Sequence, residues 1–520
     1  MAKLEVHDLK RQAEDLFTKQ YPMLSLYQTL ADHFYPERAD FTVTRNIGNE
    51  LADLLVDSYP VLVRRDLGNS FSAMLRDGDW FSMGVKGEAD YDGEAWLQWA
   101  SGRLKDLFDD RSANFVRATK EGDHDFATFG QCAISIEMNK FKNGLLFRNW
   151  HLRDMAWFED ETGSISGVVR RWKPTNAQQK SYFGDKVHTK VNENVKDKPF
   201  ETSEVHHMVL PGEMYGDDSI KNPYVSIFID VANNHLIEAV GINHKYYIIP
   251  RFQTIAGGAY AYSPATVVGL PDARALQAMT HTLLEAGERY ARPPMIATQK
   301  VIRSDVDLAP DGITWVDDEY DEKMGAALRP IAQDRGGFPI GLEMRGDIKQ
   351  VLASAFYLNK LSLPDVTREM TAYEVSERMK QFRRENLPLF APIESEYNGQ
   401  LCEVAFEIAM QGGLLGSPYD IPDSLSGRDV KFKFTSPLSE SEEEKKANKF
   451  NQVSRMLAEA ATLDEGVIDN INFDVALRDA INGMGAPAQW LNGPEQVAQV
   501  RQQKALMQAA AMAQQGEAQQ

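Results

Sequence analysis

Between residues 144 and 262 the hydrophobic period of this chain changes. Six short runs rich in β-branched and aromatic residues, LLFRNWHL, SGVVRRWKP, EVHHMVLP, YVSIFID, HLIEAV and YYIIPRF, alternate with turn formers, which predicts strands. The tracts on either side carry apolar residues at three- and four-residue steps instead. Leu51, Leu54, Leu55, Tyr59, Leu62 and Val63 fall on one helical face. Asn114 to Met138 predicts another helix, with Phe115, Ala118, Phe126, Phe129 and Ala133 among its apolar positions and Gly122 and Gly130 as weak points. A β-rich block set between helical tracts gives a mainly helical α+β class. Inside that block the polar stretch 173–203 reads as a mobile insertion.

Tyr262 to Leu276, YSPATVVGLPDARAL, reads as a tight Gly/Pro loop running into a helix. Asp272 is its expected N-cap, Leu276, Met279, Leu283 and Ala286 or Gly287 form its stripe, and Pro293-Pro294 stops it. Roughly 20 residues at about 1.5 Å each make a rod of about 30 Å. An interlude over 293–342 holds the strand candidates MIATQKVI and GITWV and an acidic turn, DDEYDE. A second helix is expected over 343–358, burying Ile348, Leu352, Ala355 and Phe356. From Thr371 a long helical tract runs past Met410, with kinks expected at Pro388 and Pro392. From about Pro437 a new unit opens with a Ser-x-x-Glu capping pattern and closes on an Ala/Gln-rich end expected to be a frayed helix. No repeat of fixed period is visible.

With 520 residues the chain is long enough for several domains. Its two cysteines, Cys132 and Cys402, are too few for a disulfide framework and predict a reducing assembly site. Neither a basic-then-apolar leader nor a long uncharged apolar run is legible, so neither secretion nor a membrane partner is expected. The formal charge is −20, from 76 acidic and 56 basic residues. Such a surface repels nucleic acid on average, because phosphate binding needs cations that release counterions.

Motifs for chemistry are absent. No P-loop, HExxH, CxxC or GxSxG stretch occurs. His206 and His207 would point to opposite faces of a strand, which disfavours ligation of one metal by both. Asp305 to Gly312, DVDLAPDG, resembles a calcium loop but has the wrong spacing after its second Asp, so a solvated turn is expected. The readings are therefore no catalytic residue, no metal and no cofactor. Arg378, Lys380, Arg383 and Arg384 form a basic cluster whose two readings are a solvated face paired with Glu377 and Glu385, or a subunit or DNA contact. Asp317, Asp318, Glu319, Asp321 and Glu322 read as a wet turn or as a docking surface for a basic partner. Tyr35, Pro36 and Phe41 look like packing and turn residues.

The stretch from Tyr246 to Thr298 carries a family resemblance. Pro250-Arg251-Phe252, Gly257 to Tyr262, Pro264, Leu270-Pro271-Asp272 and Pro293-Pro294 follow one another in the order seen in portal, or head-to-tail connecting, proteins of short-tailed double-stranded DNA bacteriophages. Tyr260-Ala261-Tyr262 stands where that family often has Tyr-Gly. FYPERADFT after an early helix, and SAFYLNKLSLPDVTREMTAYEVSERMKQF, extend the similarity from about residue 30 to 410. The resemblance implies a portal fold, with wing, stem, clip and crown regions around a central channel. The wing would be 1–269, the stem helices 270–292 and 343–358, and the clip 293–342. A channel loop would be 359–370, a long wing helix with its following strand 371–436, and the crown 437–520.

It further implies a ring, typically of twelve subunits, at the head-tail junction of the virion, assembled in the host cytoplasm. Duplex DNA would pass through it in packaging and ejection. Its partners would be a terminase motor, a tail adaptor, and scaffolding and capsid proteins. Lys360 and Arg368 fall in the implied channel loop, as local DNA contacts or as partners of neighbouring subunits. The acidic run 317–322 falls in the implied clip. Two other readings are kept: another phage structural protein, such as a tail adaptor or scaffold, and a hydrolase using His206, His207 and nearby carboxylates.

Overall fold

The computed structural model describes residues 3–291 except 47, 52–54, 77 and 87–89, together with 295–297, 328–330, 337–358, 381, 393–434 except 418–419, 426 and 428, 442–461, 471–483 and 496–507 except 505. Two units emerge. The first comprises Met1–Pro22, Gly68–Tyr262 and Lys360–Gln520; the second comprises Met23–Leu67 and Ser263–Asn359. The chain crosses from one to the other between Tyr262 and Ser263, inside the central Gly/Pro-marked stretch.

Helices in chain order are α1 (Val6–Phe34), α2 (Tyr59–Leu75), α3 (Tyr91–Asp109), α4 (Phe115–Phe129), α5 (Asn176–Phe183), α6 (Thr189–Asp197), α7 (Gly212–Tyr215), α8 (Leu270–Ala291), α9 (Gly337–Ala355), α10 (Gln400–Gln411), α11 (Glu442–Ala461) and α12 (Phe473–Gly483). Strands are β1 (Phe81–Val85), β2 (Ile134–Met138), β3 (Leu145–Asn149), β4 (Met155–Glu159), β5 (Ile165–Trp172), β6 (Val205–Pro211), β7 (Tyr224–Asp230), β8 (His235–Ile242), β9 (Tyr247–Ile248), β10 (Met295–Ala297), β11 (Leu328–Pro330) and β12 (Val430–Phe434). The class is mainly helical α+β with antiparallel sheets.

The first unit is built on a five-stranded antiparallel sheet in the order β4-β5-β6-β7-β8. Strand alternation gives it two apolar faces. Ala156, Val169, Met208, Val225, Ile227 and Ile229 pack on one side with Leu9, Ala13 and Phe17 of α1. Val205, Phe228 and Ile237 pack on the other with Phe183, Val187 and Val191. Those last three lie in the stretch read as a mobile insertion, and that expectation fails. Thr175 and Gln178 form a reciprocal capping box that starts α5, and Val187 and Val191 close the sheet beside it. Each large apolar side chain buried this way contributes about 1.5–3 kcal/mol. A second sheet, β3-β2-β9, and the pair β1-β12 share an aromatic cluster. Trp80 stacks near Phe108, Phe115 and Phe434, and Phe147 meets Phe115 edge-on.

The helix expected over 343–358 spans Gly337–Ala355 instead, so it starts inside the stretch read as the interlude 293–342. Three further boundaries differ from expectation, each for a local reason. The stripe from Leu51 does not begin a helix there. Within the described residues α2 starts at Tyr59, whose N–H donates to Asp57 Oδ1 at 2.9 Å, because Pro60 fits only a first turn. The helix expected over Asn114 to Met138 ends at Phe129. Gly130 takes a left-handed φ of 78°, and Ile134–Met138 continues as a strand. The central stretch is not a loop after Tyr262. A π-helical turn, Ala265–Gly269, follows Pro264 and leads directly into α8, so the helix begins before Asp272. Pro271 has no N–H for the preceding turn, and wider winding just ahead of a proline accommodates that loss.

In the second unit α8 and α9 pack antiparallel. A Cβ on Gly269, just ahead of α8, would stand 3.0 Å from Phe356, just beyond α9, whereas one on Gly341 would stand 2.7 Å from Leu283. Ala273 and Leu276 of α8 and Leu352 and Phe356 are buried, as the stripe positions 276, 352 and 356 predict. β10 and β11, in the stretch joining the two helices, pair antiparallel from Met295↔Pro330 to Ala297↔Leu328. Phe41 is buried against Tyr27, and Gln28 Oε1 accepts from the Phe41 and Thr42 N–H groups, so FYPERADFT is a packed turn.

Candidate functional site

The Pro250-Arg251-Phe252 triplet leaves β9 and ties three distant segments together. The Phe252 N–H donates to Gly130 O at 2.7 Å, and its ring meets Phe126 at 5.4 Å and Phe71 at 6.4 Å. Arg251 Nε donates to Glu396 at 3.0 Å, Nη2 donates to Gly163 O at 3.0 Å, and Nη1 donates to Glu159. A planar five-donor guanidinium can reach three acceptors in different directions, which a lysine ammonium cannot do from one position.

The Gly-Tyr loop that follows is closed. Gln253 bridges Tyr262 antiparallel, Gly257 holds φ at 86°, Ala261 N–H donates to Gln131 Oε1 at 2.9 Å, and Trp157 Nε1 donates to Ala259 O at 2.9 Å. Tyr260 lies on the Trp157 ring at 4.7 Å, and burial raises its phenol pKa. This geometry anchors the backbone at the exit of the first unit.

In the second unit, Asp57 braces the helix pair. Its backbone N–H donates to Gln277 Oε1 at 2.9 Å, and Gln277 Nε2 donates to its carbonyl at 2.6 Å. Its carboxylate meets Lys349 Nζ at 2.8 Å and accepts from Thr280 at 3.3 Å. Burial alone would raise the Asp57 pKa, but Lys349, the Tyr59 N–H and Thr280 outweigh it and hold the carboxyl below its ordinary value. Val267 ahead of α8, Leu284 on α8 and Ile340, Met344 and Val351 on α9 are 49–59% exposed. The hairpin thus buries one apolar face and presents another.

His206 and His207 do point to opposite faces of β6. His206 Nε2 meets Glu204 at 2.8 Å, whereas His207 is bonded by Tyr247 and Ser226 and stacks on Phe228. Burial, then Arg170, lowers the His207 pKa well below its usual value. Cys132 and Cys402 are buried, and burial raises both thiols, which leaves neither activated as a nucleophile. Among the described residues no group of three His, Cys, Asp or Glu side chains is arranged to hold a metal, and no helix is long and apolar enough to cross a membrane. Lys360, Arg368, the run Asp317 to Glu322, the cluster Arg378, Lys380, Arg383 and Arg384, and the turn Asp305 to Gly312 lie outside the described residues.

A family model described as bacteriophage head to tail connecting protein matches residues 6–491. This chain belongs to that family. A protein named as the portal protein of Salmonella phage epsilon15 is 22% identical over 538 residues, covering 99% of this chain and 93% of that protein. The chain therefore spans nearly the full length of a portal relative. Connector proteins of this family are structural rather than catalytic.

Sequence reasoning identified Arg251 by its motif but gave it no role. It missed the buried node in which Arg76 Nε donates to Asn398 at 3.0 Å and the Arg76 guanidinium lies over the Tyr397 ring at 4.7 Å. The signal available was a charged residue ending the apolar stripe of α2.

Proposed function

We propose that this chain is the subunit of a ring, of about twelve copies, that conducts duplex DNA into and out of a phage head and joins head to tail. The observation that carries the reading is the antiparallel α8–α9 hairpin with one buried and one exposed apolar face. Identical subunits close a ring by head-to-tail contacts, in which one surface meets a different surface on the next copy. An apolar face left open on a helical pair is suited to such a contact.

On this reading α8 and α9 are stem helices lining a pore, and 293–342 is the clip that meets first the packaging motor and then the tail adaptor. Residues 359–370 project toward DNA with Lys360 and Arg368, 371–436 belong to the wing, and 437–520 form a crown facing the capsid interior. Asp317, Asp318, Glu319, Asp321 and Glu322 offer basic partners a docking surface, and Arg378, Lys380, Arg383 and Arg384 contribute to subunit contacts. Scaffolding and capsid proteins surround the ring at the virion's head-tail junction. The chain performs no chemistry of its own.

The charge of −20 per subunit fits such a conduit. A basic wall would release counterions and grip the duplex, whereas an acidic wall lets it slide past a few local contacts. Negative-stain imaging of the purified protein tests the reading. Rings with a central hole are expected; monomers under every assembly condition contradict it.

A further inference from the structure

Trp150, at the end of β3, is gripped by two arginines. The Arg170 guanidinium carbon lies 3.7 Å from the centre of its ring and that of Arg148 lies 4.0 Å from it. Arg170 also faces Trp172 at 5.4 Å and Tyr247 at 5.9 Å. Trp150 itself is fixed by donating from Nε1 to Ser135 Oγ at 2.8 Å. Such stacking is favourable for each cation singly.

Arg170 is 4% exposed, and its Nε is sealed with no acceptor. Among the described residues neither Arg148 nor Arg170 has a hydrogen bond or a carboxylate at ion-pair distance. Glu137, on the neighbouring strand β2, accepts a hydrogen bond from Tyr182 at 3.2 Å. Other well-buried arginines in this unit are neutralised: Arg76 by Asp123, and Arg251 by Glu159 and Glu396. Burial, followed by repulsion from Arg170, lowers the pKa of Arg148 against the weaker attraction of Glu137 and Glu121, neither of which lies at ion-pair distance. Arg148 is the more exposed of the two arginines.

We infer that Arg148 and Arg170 form an oxyanion site that is incomplete in one subunit and is filled by a carboxylate from a second copy of this chain. A forked guanidinium takes a carboxylate bidentately. The chain carries twenty more acidic than basic residues, so each further copy brings an excess of carboxylates. The same charge opposes the approach of a nucleic-acid phosphate. The inference rests on the ring reading, since a neighbouring identical subunit must be present.

The test compares wild type, Arg148→Glu and Arg148→Lys by sedimentation velocity over a protein concentration series, with thermal midpoints measured on the unassembled subunit. Arg148→Glu is expected to raise the concentration for half-assembly at least tenfold while leaving the subunit's midpoint unchanged or higher, because the new carboxylate pairs with Arg170. Arg148→Lys keeps the charge and is expected to stay within about threefold of wild type. Assembly of Arg148→Glu like wild type overturns the inference. So does a fall in the subunit's midpoint that matches the loss of assembly, which marks a purely structural stack. Normal rings that lose binding to purified capsid protein, or to duplex DNA, overturn it in favour of those occupants. Wild type that forms no ring at any concentration overturns the ring reading as well, whereas normal wild-type rings with an indifferent Arg148→Glu overturn this inference alone.

Discussion

Arg76 holds Asp123 with two parallel hydrogen bonds, at 2.9 and 2.7 Å, and both side chains are sealed from solvent. Burial alone would lower the Arg76 pKa, but the Asp123 carboxylate outweighs it and raises it. Truncating one partner of such a pair leaves an uncompensated buried charge, which costs about 3–5 kcal/mol. Asp123→Leu is expected to lose that much in denaturant unfolding. The double variant Asp123→Leu with Arg76→Met should recover most of it, because no lone charge remains.

Arg251 links β4, the Asp160–Ser164 turn and the π-helical turn Glu394–Gly399. Arg251→Lys keeps one positive charge but cannot reach three acceptors. It is expected to lose about 1–2 kcal/mol, and Arg251→Ala about 3 kcal/mol, since two carboxylates then share a partly buried site. Chemical denaturation of the two variants checks the order; no loss in Arg251→Lys would show that fork geometry is irrelevant.

His244 is buried, with neither ring nitrogen hydrogen-bonded and the Glu407 carboxylate 3.7 Å away. Burial lowers its pKa from 6.5 to about 4. Above pH 6.5 neither the folded nor the unfolded chain protonates it. Below that value only the unfolded chain takes up the proton, so stability falls from about pH 6.5 toward pH 4 and levels off beneath. His207 is displaced in the same direction. His244→Met is expected to gain about 1 kcal/mol at pH 7, by removing an unpartnered polar group. The advantage should grow by on the order of 2–3 kcal/mol at pH 4. Unfolding midpoints across that range measure it, and a pH-independent difference would refute the assignment.

Gly212 opens α7 against backbone. A Cβ there would stand 2.5 Å from Asn222 O, an atom that cannot swing aside. Gly212→Ala is therefore expected to cost about 1–3 kcal/mol. Gly102, with open space around its Cβ position, serves as the control. Gly102→Ala should be neutral or stabilising in the same thermal melt.

Much of this fold is written locally. Strands β5 to β8 were legible because their β-branched runs are bounded by turn formers, and α9 because Leu352 and Phe356 recur at helical spacing. The boundary at Gly130 was not legible, since the apolar run that follows suits a buried strand or a helix equally. α5 and α6 carried their own signals, the Thr175–Gln178 box and the four-residue steps Phe183, Val187, Val191, but a polar composition outweighed them. The partners of Arg251 lie 92 and 145 residues away, and no local pattern announces such a pairing. Trp150 and its two arginines meet only when the strands β3 and β5 are brought together. The interface residues proposed for channel, clip and subunit contact come from order along the chain and family likeness, not from a geometry that encloses them.

An asymmetric electron-microscopy reconstruction of the phage particle, made without imposing capsid symmetry, tests the central claim most directly. It should show this chain as a closed ring at a single vertex, with α8 and α9 side by side along the pore and duplex density on the axis. Density for the chain at every vertex, or a ring whose axis is not bordered by those two helices, would contradict the account.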